Sequence, residues 1–316
     1  GTGSYIPSRL IKNSDFLTQV FYEKDQTEIE GPAETIVSKF KDITGISERR
    51  WATEDQTASS LATIAAEEAI RSAGIDRETI DQIIVAQNFG DISINTHQTD
   101  LLPSLASRVK HNLKIQNPSC VPFDIVFGCP GWLQGFILAD ALIKAGVARR
   151  CLVIGAEALS RVIDVYDRDS MIFSDGAGAA IIEGIVEDKQ RGVLSTANVS
   201  HTNEEAFYLY FGKTNSPDID SEIRYMKMNG RKIYEYSLMY VPTAMKTAIE
   251  KAQISFDQIN KILIHQANEK MDEAIVQRFY KLHGIRRDIA DVMPMSIHEL
   301  GNSSVDRKST RLNSSH

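Results

Sequence analysis

The chain has 316 residues, 42% of them hydrophobic, and a formal net charge of −7. That is enough apolar length for one large α/β domain or two similar halves, and it leaves no general basic field for a nucleic-acid backbone. No apolar run approaches the ~20 residues of a membrane span, no signal peptide is visible, and Cys120, Cys129 and Cys151 are spaced neither as a disulfide framework nor as a CxxC metal site. The composition predicts a soluble cytoplasmic protein with no nucleic-acid and no membrane partner.

In chain order, "GTGSYIP" at residues 1–7 reads as a strand and turn, and the long, acidic stretch 21–46 leads into the chain's first repeated unit. That unit is "ATIAAEEAIRSAGIDRETIDQIIVAQ", residues 62–87, which aligns without a gap on "VPTAMKTAIEKAQISFDQINKILIHQ", residues 241–266. Ala65, Ala69, Ile70, Ala73, Ile75, Ile80, Ile83 and Gln87 recur as Ala244, Ala248, Ile249, Ala252, Ile254, Ile259, Ile262 and Gln266. Each copy predicts an amphipathic helix, a short turn and a buried apolar strand. Two copies imply two related α/β halves facing one another across a pseudo-two-fold axis.

Between the copies, "DIVFG" predicts a strand that delivers Cys129 to the start of a helix, "PGWLQGFILADALIKAG". Pro130 has the fixed φ favoured at the first helical position, which makes Cys129 the expected N-cap. A thiol there faces the positive end of the helix dipole, which favours thiolate. The helix is apolar on nearly all sides and is expected to be buried. Cys120, in "NPSC", and Cys151, opening the strand "CLVIGAE", read as inert core thiols.

In the second half, the segment around Met226 and Met228 has apolar residues at helical spacing and reads as structure. His265 ends the second repeat's strand, where the first copy has Ala86. "LGN", residues 300–302, matches "FGC", residues 127–129, as a Gly and a small functional residue opening a helix, so pseudo-symmetry would bring Cys129, His265 and Asn302 to one cleft. His97, His111, His201, His283 and His298 show no metal-ligand spacing, and no metal site is expected.

"FGCPGW", "FSDGAGAAIIEG", "ILIHQAN" and "GNSS" stand in the order and spacing of the thiolase-superfamily condensing enzymes. The set most resembles the β-ketoacyl-[acyl-carrier-protein] synthase III family, from residue 1 to Val305. The resemblance implies an α/β, thiolase-like fold of two pseudo-symmetric halves in a layered αβαβα arrangement. Residues 1–185 would carry the nucleophile, and residues 186–305 would carry His265 and Asn302. It implies a decarboxylating Claisen condensation of an acyl-CoA primer with malonyl-[acyl-carrier-protein], the step that initiates fatty-acid synthesis. Cys129 would be the nucleophile, while His265 and Asn302 would stabilise the charge that develops as CO2 leaves. No cofactor is implied beyond the two thioester substrates, and the implied partners are acyl carrier protein, acyl-CoA and a second copy of the chain in a homodimer.

Departures from the family pattern touch substrate recognition. Lys39 and Ile43 stand where the family has a Trp and an Arg that clamp CoA, and Lys270 stands where an Arg often follows HQAN. Lys39, Asn268 and Lys270 are therefore the candidate phosphopantetheine-binding residues, with lysine acting as a point charge rather than a bidentate clamp. Two alternatives stay open: an acyltransferase or specialised ketide-forming relative, which would not depend on His265 and Asn302 for CO2 release, and a non-catalytic partner subunit, which Cys129 argues against. Residues 306–316, "DRKSTRLNSSH", have no apolar period and resemble a translated sequencing adapter, so they are expected to be a non-native tail. The resemblance also implies further C-terminal elements, including an oxyanion-hole glycine. Their absence is expected to leave apolar surface on the Cys129 helix uncovered and the 316-residue chain inactive and prone to aggregate.

Overall fold

The structure is a computed structural model, and it describes residues 1–94, 96–188 and 191–306. Of the expected non-native tail, residues 307–316 lie outside the described residues. The chain runs β1 (Thr2–Tyr5), β2 (Arg9–Lys12), α1 (Ala33–Thr44), β3 (Glu48–Trp51), α2 (Ala58–Ala73), β4 (Gln82–Gln87), α3 (Leu105–Asn112), β5 (Val121–Val126), α4 (Gly131–Lys144), β6 (Arg150–Ala158) and β7 (Asp175–Glu183). It continues through β8 (Leu209–Gly212), β9 (Tyr225–Met228), α5 (Gly230–Ala252), α6 (Glu269–Leu282) and α7 (Ile297–Leu300).

The central sheet has the order β1-β7-β6-β4-β5. β4 pairs in parallel with β5 and β6, while β7 runs antiparallel to β6 and to β1. Parallel neighbours need helical crossovers, and those helices cover both faces, so the strands read as unbroken apolar runs rather than as an alternation. The side chains still divide by the strand's period of two. Ile83 and Val85 of β4 and Leu152 and Ile154 of β6 pack on α2 and α3, whereas Ile84, Ala86, Cys151 and Val153 pack against α4. The face of α2 is nearly all alanine, which lets β1 come close: a Cβ at Gly3 would collide with the carbonyl oxygen of Ala65.

The sequence repeat carries through to the elements. α2 ends at Ala73 and α5 ends at Ala252, the residue aligned with it. Gly74 closes α2 in the left-handed conformation at φ 64°, and its counterpart Gln253 does the same at φ 56°. A 3-10 turn follows in each copy, at Arg77–Thr79 and Phe256–Gln258. The copies part at the strand. Residues 82–87 form β4, but residues 261–265, expected as a strand, pair with no strand among the described residues. Ile262 and Ile264 are buried against α5 and α6, and Ile262 N–H donates to the Val292 carbonyl at 2.9 Å. The segment has a strand's burial without a neighbour to complete a ladder, so only the first of the two expected sheets is present among the described residues.

The stretch around Met226 and Met228 also differs from its helical reading. Residues 225–228 form β9, paired antiparallel with β8, and α5 begins only at Gly230. Met226 and Met228 pack on the cluster built by Phe21, Phe40, Leu159 and Met171. The ribbon is tied down by a buried ion cluster: Lys227 Nζ meets Asp164 at 2.5 Å, Asp167 at 3.1 Å and Asn215 Oδ1 at 2.7 Å.

Candidate active site

Cys129 lies in the turn between β5 and α4, half-buried, one residue earlier than an N-cap. Pro130 takes the cap position, and Gly131 N–H closes the turn onto the Gly128 carbonyl at 2.7 Å. The reason is geometric: Pro130 has ψ 11° and begins the turn itself, which shifts the first helical residue to Gly131. Cys129 still lies two residues before the first residue of α4, next to the helix's positive end.

The expectation that α4 is buried all round fails. Only Gly131, Trp132, Gly135 and Ala139 are buried, all toward the sheet, and Leu133 is 38% exposed. The opposite face of α4 lines an apolar cleft of about 1060 Å³, with Leu133, Phe136 and Ile137 on one wall. Segment 192–200, α5 and Ile262–Ile264 form the others. Phe127 and Pro130, which flank Cys129, and Ile264, which precedes His265, therefore face the same space.

The chain from Gly301 to Asp306 enters this site over the sheet. Gly301 has φ 62°, and a Cβ there would meet Arg49 Cβ at 2.8 Å, so the corner requires glycine. Asn302 is expected to open a helix, but only a 3-10 turn, Ser304–Asp306, follows it. Asn302 is buried and pinned through its backbone, its N–H to the Ile172 carbonyl and its carbonyl to Ser174 N–H, each at 2.9 Å. Val305 then fills the notch left by two glycines: a Cβ at Gly131 would lie 2.9 Å from Val305 Cγ1, and one at Gly155 2.8 Å from the Val305 carbonyl oxygen.

These constraints bring Asn302 and Cys129 together through Ser304. Ser304 N–H donates to Asn302 Oδ1 at 2.8 Å, and Ser304 Oγ donates to Cys129 Sγ at 3.6 Å. Ser304 holds φ 59°, a left-handed conformation that costs a non-glycine residue about 1–2 kcal/mol. Behind it, Asn88 Nδ2 lies 3.5 Å from Ser304 Oγ. Asn88 is held in turn by Glu157 Oε1, which accepts from its backbone N–H at 2.7 Å and from its Nδ2 at 2.5 Å. Burial pushes the Glu157 carboxyl well above the usual carboxylate range; the Asn88 hydrogen bonds oppose this, and Asp306 and Asp175 add to it.

His265 is half-buried at the end of the extended run. Its neighbour Gln266, fully buried, braces the corner by donating to the Pro294 carbonyl at 2.9 Å and accepting from Ser296 N–H at 3.1 Å. Ser296 opens the short helix that leads to Asn302, so one brace fixes the approach to both residues. Asn268 caps α6, accepting from Met271 N–H at 3.1 Å. Lys270 in the first turn of α6 and Lys39 on α1 are exposed, on helices that meet where Gly45 packs on the Glu269 side chain.

The other two thiols are no rivals. Cys120 and Cys151 are buried, and burial raises both, Cys151 to about 12 with Asp81 adding to it. Sequence reading missed Ser304, Asn88 and Glu157. A lone acid inside the apolar strand "CLVIGAE" is the available signal for Glu157 and the last position of "GNSS" the one for Ser304; Asn88 has none, because its meeting with Ser304 is set by tertiary packing.

Among the described residues no helix is long and apolar enough to cross a membrane, and no group of three or more His, Cys, Asp or Glu side chains could hold a metal ion. The family profile of 3-oxoacyl-[acyl-carrier-protein (ACP)] synthase III matches residues 123–201, which span β5, Cys129 and β7. β-Ketoacyl-[acyl-carrier-protein] synthase III of Novosphingobium aromaticivorans is 32% identical over 284 residues, 88% of this chain and 79% of that protein. The enzyme of the same name from Staphylococcus haemolyticus is 32% identical over 306 residues, 96% of this chain and 84% of that one. Among solved structures, the β-ketoacyl-[acyl carrier protein] synthase III of Thermus thermophilus superposes with a TM-score of 0.78 at 30% identity, covering 99% of this chain and 88% of that one.

Proposed function

The chain belongs to the β-ketoacyl-[acyl-carrier-protein] synthase III family of initiating condensing enzymes, and we propose that Cys129, His265 and Asn302 carry its reaction. The family is acyltransferase in class and thiolase-like in fold. In the proposed sequence the Cys129 thiolate attacks the carbonyl carbon of an acyl-CoA thioester. The carbon–sulfur bond to CoA breaks, CoA leaves as its thiolate, and the acyl group stays on Cys129.

Malonyl-[acyl-carrier-protein] then loses CO2. The electron pair of the broken carbon–carbon bond passes into the thioester as an enolate, whose oxygen accepts hydrogen bonds from His265 Nε2–H and the Asn302 amide. The enolate carbon attacks the acyl carbonyl on Cys129, a new carbon–carbon bond forms, and the thiolate is released. No carboxylate base is required, because decarboxylation supplies the nucleophile. Lys39, Asn268 and Lys270 are the proposed contacts for the phosphopantetheine arm and its phosphates, the two lysines as exposed point charges on neighbouring helices. The protein acts in this reading as a cytoplasmic homodimer. Its support is β5, an edge strand of the sheet with Val121 48% and Val126 68% exposed, a surface suited to pairing with a second copy.

One observation carries the catalytic reading: Ser304 joins the Cys129 sulfur to the Asn302 amide, two side chains far apart in the chain. The test is the intact mass of the protein after mixing with a panel of acyl-CoAs, beside Cys129→Ala. A single acyl adduct, absent from the variant, is expected. An adduct that persists in Cys129→Ala would remove Cys129 from its role. Loss of CO2 release from malonyl-[acyl-carrier-protein] in His265→Ala and Asn302→Ala would separate a condensing enzyme from a relative that only transfers acyl groups.

A further inference from the structure

We propose that Ser304 is a positioning residue that holds the Cys129 sulfur as thiolate, and that Asn88 and the buried Glu157 set the direction of its hydrogen bond. The inference rests on Cys129 being the nucleophile. Glu157 Oε1 accepts from both the backbone N–H and the Nδ2 of Asn88, at 2.7 and 2.5 Å. Because Oε1 also accepts the backbone N–H, it meets the amide as an acceptor whether the carboxyl is ionised or carries its proton on the other oxygen, and reversing the Asn88 amide would bring Oδ1 against it. Nδ2 therefore presents its other hydrogen to Ser304 Oγ, 3.5 Å away. With its lone pair engaged, the Ser304 hydroxyl keeps its own hydrogen for another acceptor, and the atom it faces is Cys129 Sγ at 3.6 Å.

A hydroxyl donor favours the charged form of sulfur over the neutral thiol. The same residue does a second task through its backbone. Its N–H occupies Asn302 Oδ1 at 2.8 Å, leaving the Asn302 NH2 group as the part of that side chain able to donate to a substrate oxygen. The left-handed backbone of Ser304 makes both contacts available from one residue: φ 59° turns the N–H back to Asn302 while the side chain reaches the sulfur.

Two substitutions isolate the hydroxyl. Ser304→Gly suits the positive φ and keeps the N–H to Asn302, so it deletes only what the hydroxyl makes, its bond to sulfur and the one it accepts from Asn88. Asn88→Ala removes the donor that orients the hydroxyl. The measurement is the rate of Cys129 alkylation by iodoacetamide as a function of pH, followed by peptide mass so that Cys120 and Cys151 are scored separately. In Ser304→Gly the midpoint of the profile is expected to move up by about one pH unit, the size of a lost hydrogen bond to the charged form. Asn88→Ala should move it the same way by less, and the double variant should add little to Ser304→Gly. A midpoint unchanged in Ser304→Gly overturns the proposal, and if that variant does not fold, an unchanged midpoint in Asn88→Ala overturns it. Failure of the wild-type protein to acylate Cys129 is a different result, which removes the catalytic reading, while the alkylation profile still decides whether Ser304 governs the sulfur.

Discussion

At the scale of single residues, the site's rear wall carries three buried acids, one of them Asp306, the first residue of the expected non-native tail. Asp306 is 1% exposed, Asp175 and Glu157 each 2%, and a Cβ at Gly176 would lie 2.8 Å from Asp306 Oδ2. Asp175 is raised by burial, an effect opposed by hydrogen bonds from Ser160 and Ala52 and by Arg161. Glu157 is raised further, in part by Asp306. A carboxyl whose folded pKa is raised stabilises the fold fully below its unfolded value, and that contribution is lost as pH climbs through the folded value. Glu157 and Asp175 therefore favour the fold in mild acid and oppose it above the ordinary carboxylate range. Asp306→Asn keeps the shape and removes one charge, and it should stabilise the protein more at pH 8 than at pH 5. Each pH unit by which Glu157 relaxes is worth about 1.4 kcal/mol. Urea unfolding at the two pH values measures it, and an equal change at both would show that Asp306 does not couple to Glu157. No motif marks this grouping: Glu157 and Asp175 come together because β6 and β7 pair Glu157 with Gly176 and Ala158 with Asp175.

At the scale of elements, the helix–turn–strand repeat was the most legible feature, because it is written in periodicity and chain geometry. Helix ends, left-handed caps and 3-10 turns fall at aligned positions. A strand is different, because it is completed by a neighbour. The apolar run 262–264 announces burial, and Ile262 and Ile264 are buried, but nothing inside three residues states what will pair with them. In β9 the error ran the other way. "YMKM" alternates at period two, yet the apolar residues that follow in α5 invited a helical reading of the whole stretch. Lys227 settles the ribbon's position. Asp164 also accepts from Thr214 Oγ1 at 3.0 Å, Asn215 N–H at 2.6 Å and Tyr166 N–H at 3.2 Å, so with Lys227 the carboxylate serves four donors in a dry site. Lys227→Met would leave Asp164 buried without its cation, a loss of about 3–5 kcal/mol. Urea denaturation should register that loss, and limited proteolysis should cut faster between residues 205 and 228. A loss under about 1 kcal/mol, the worth of a surface pair, would mean that the ion cluster is not what seats the ribbon.

At the scale of the whole molecule, two apolar surfaces compete to govern association, and they are distinct. One is the edge strand β5, at the end of the sheet order, where Val121 and Val126 are exposed. The other is the cleft of about 1060 Å³ along the uncovered face of α4, with Leu133 and Ile137 on its wall. An edge strand pairs with one copy of itself and stops, since a two-fold contact closes. An open apolar cleft has no such limit and draws in dyes and other chains. The proposed homodimer requires the first. Sedimentation should therefore give a dimer whose dissociation constant rises at least about tenfold, or about 1.4 kcal/mol, in Val126→Asp and changes little in Leu133→Ser with Ile137→Ser. Larger species and binding of anilinonaphthalene sulfonate should depend instead on the cleft pair and fall when both positions become serine. A wild-type protein that stays monomeric across the concentration range would remove the dimer. A dimer weakened by the cleft substitutions and untouched by Val126→Asp would move the interface from the sheet edge to the face of α4.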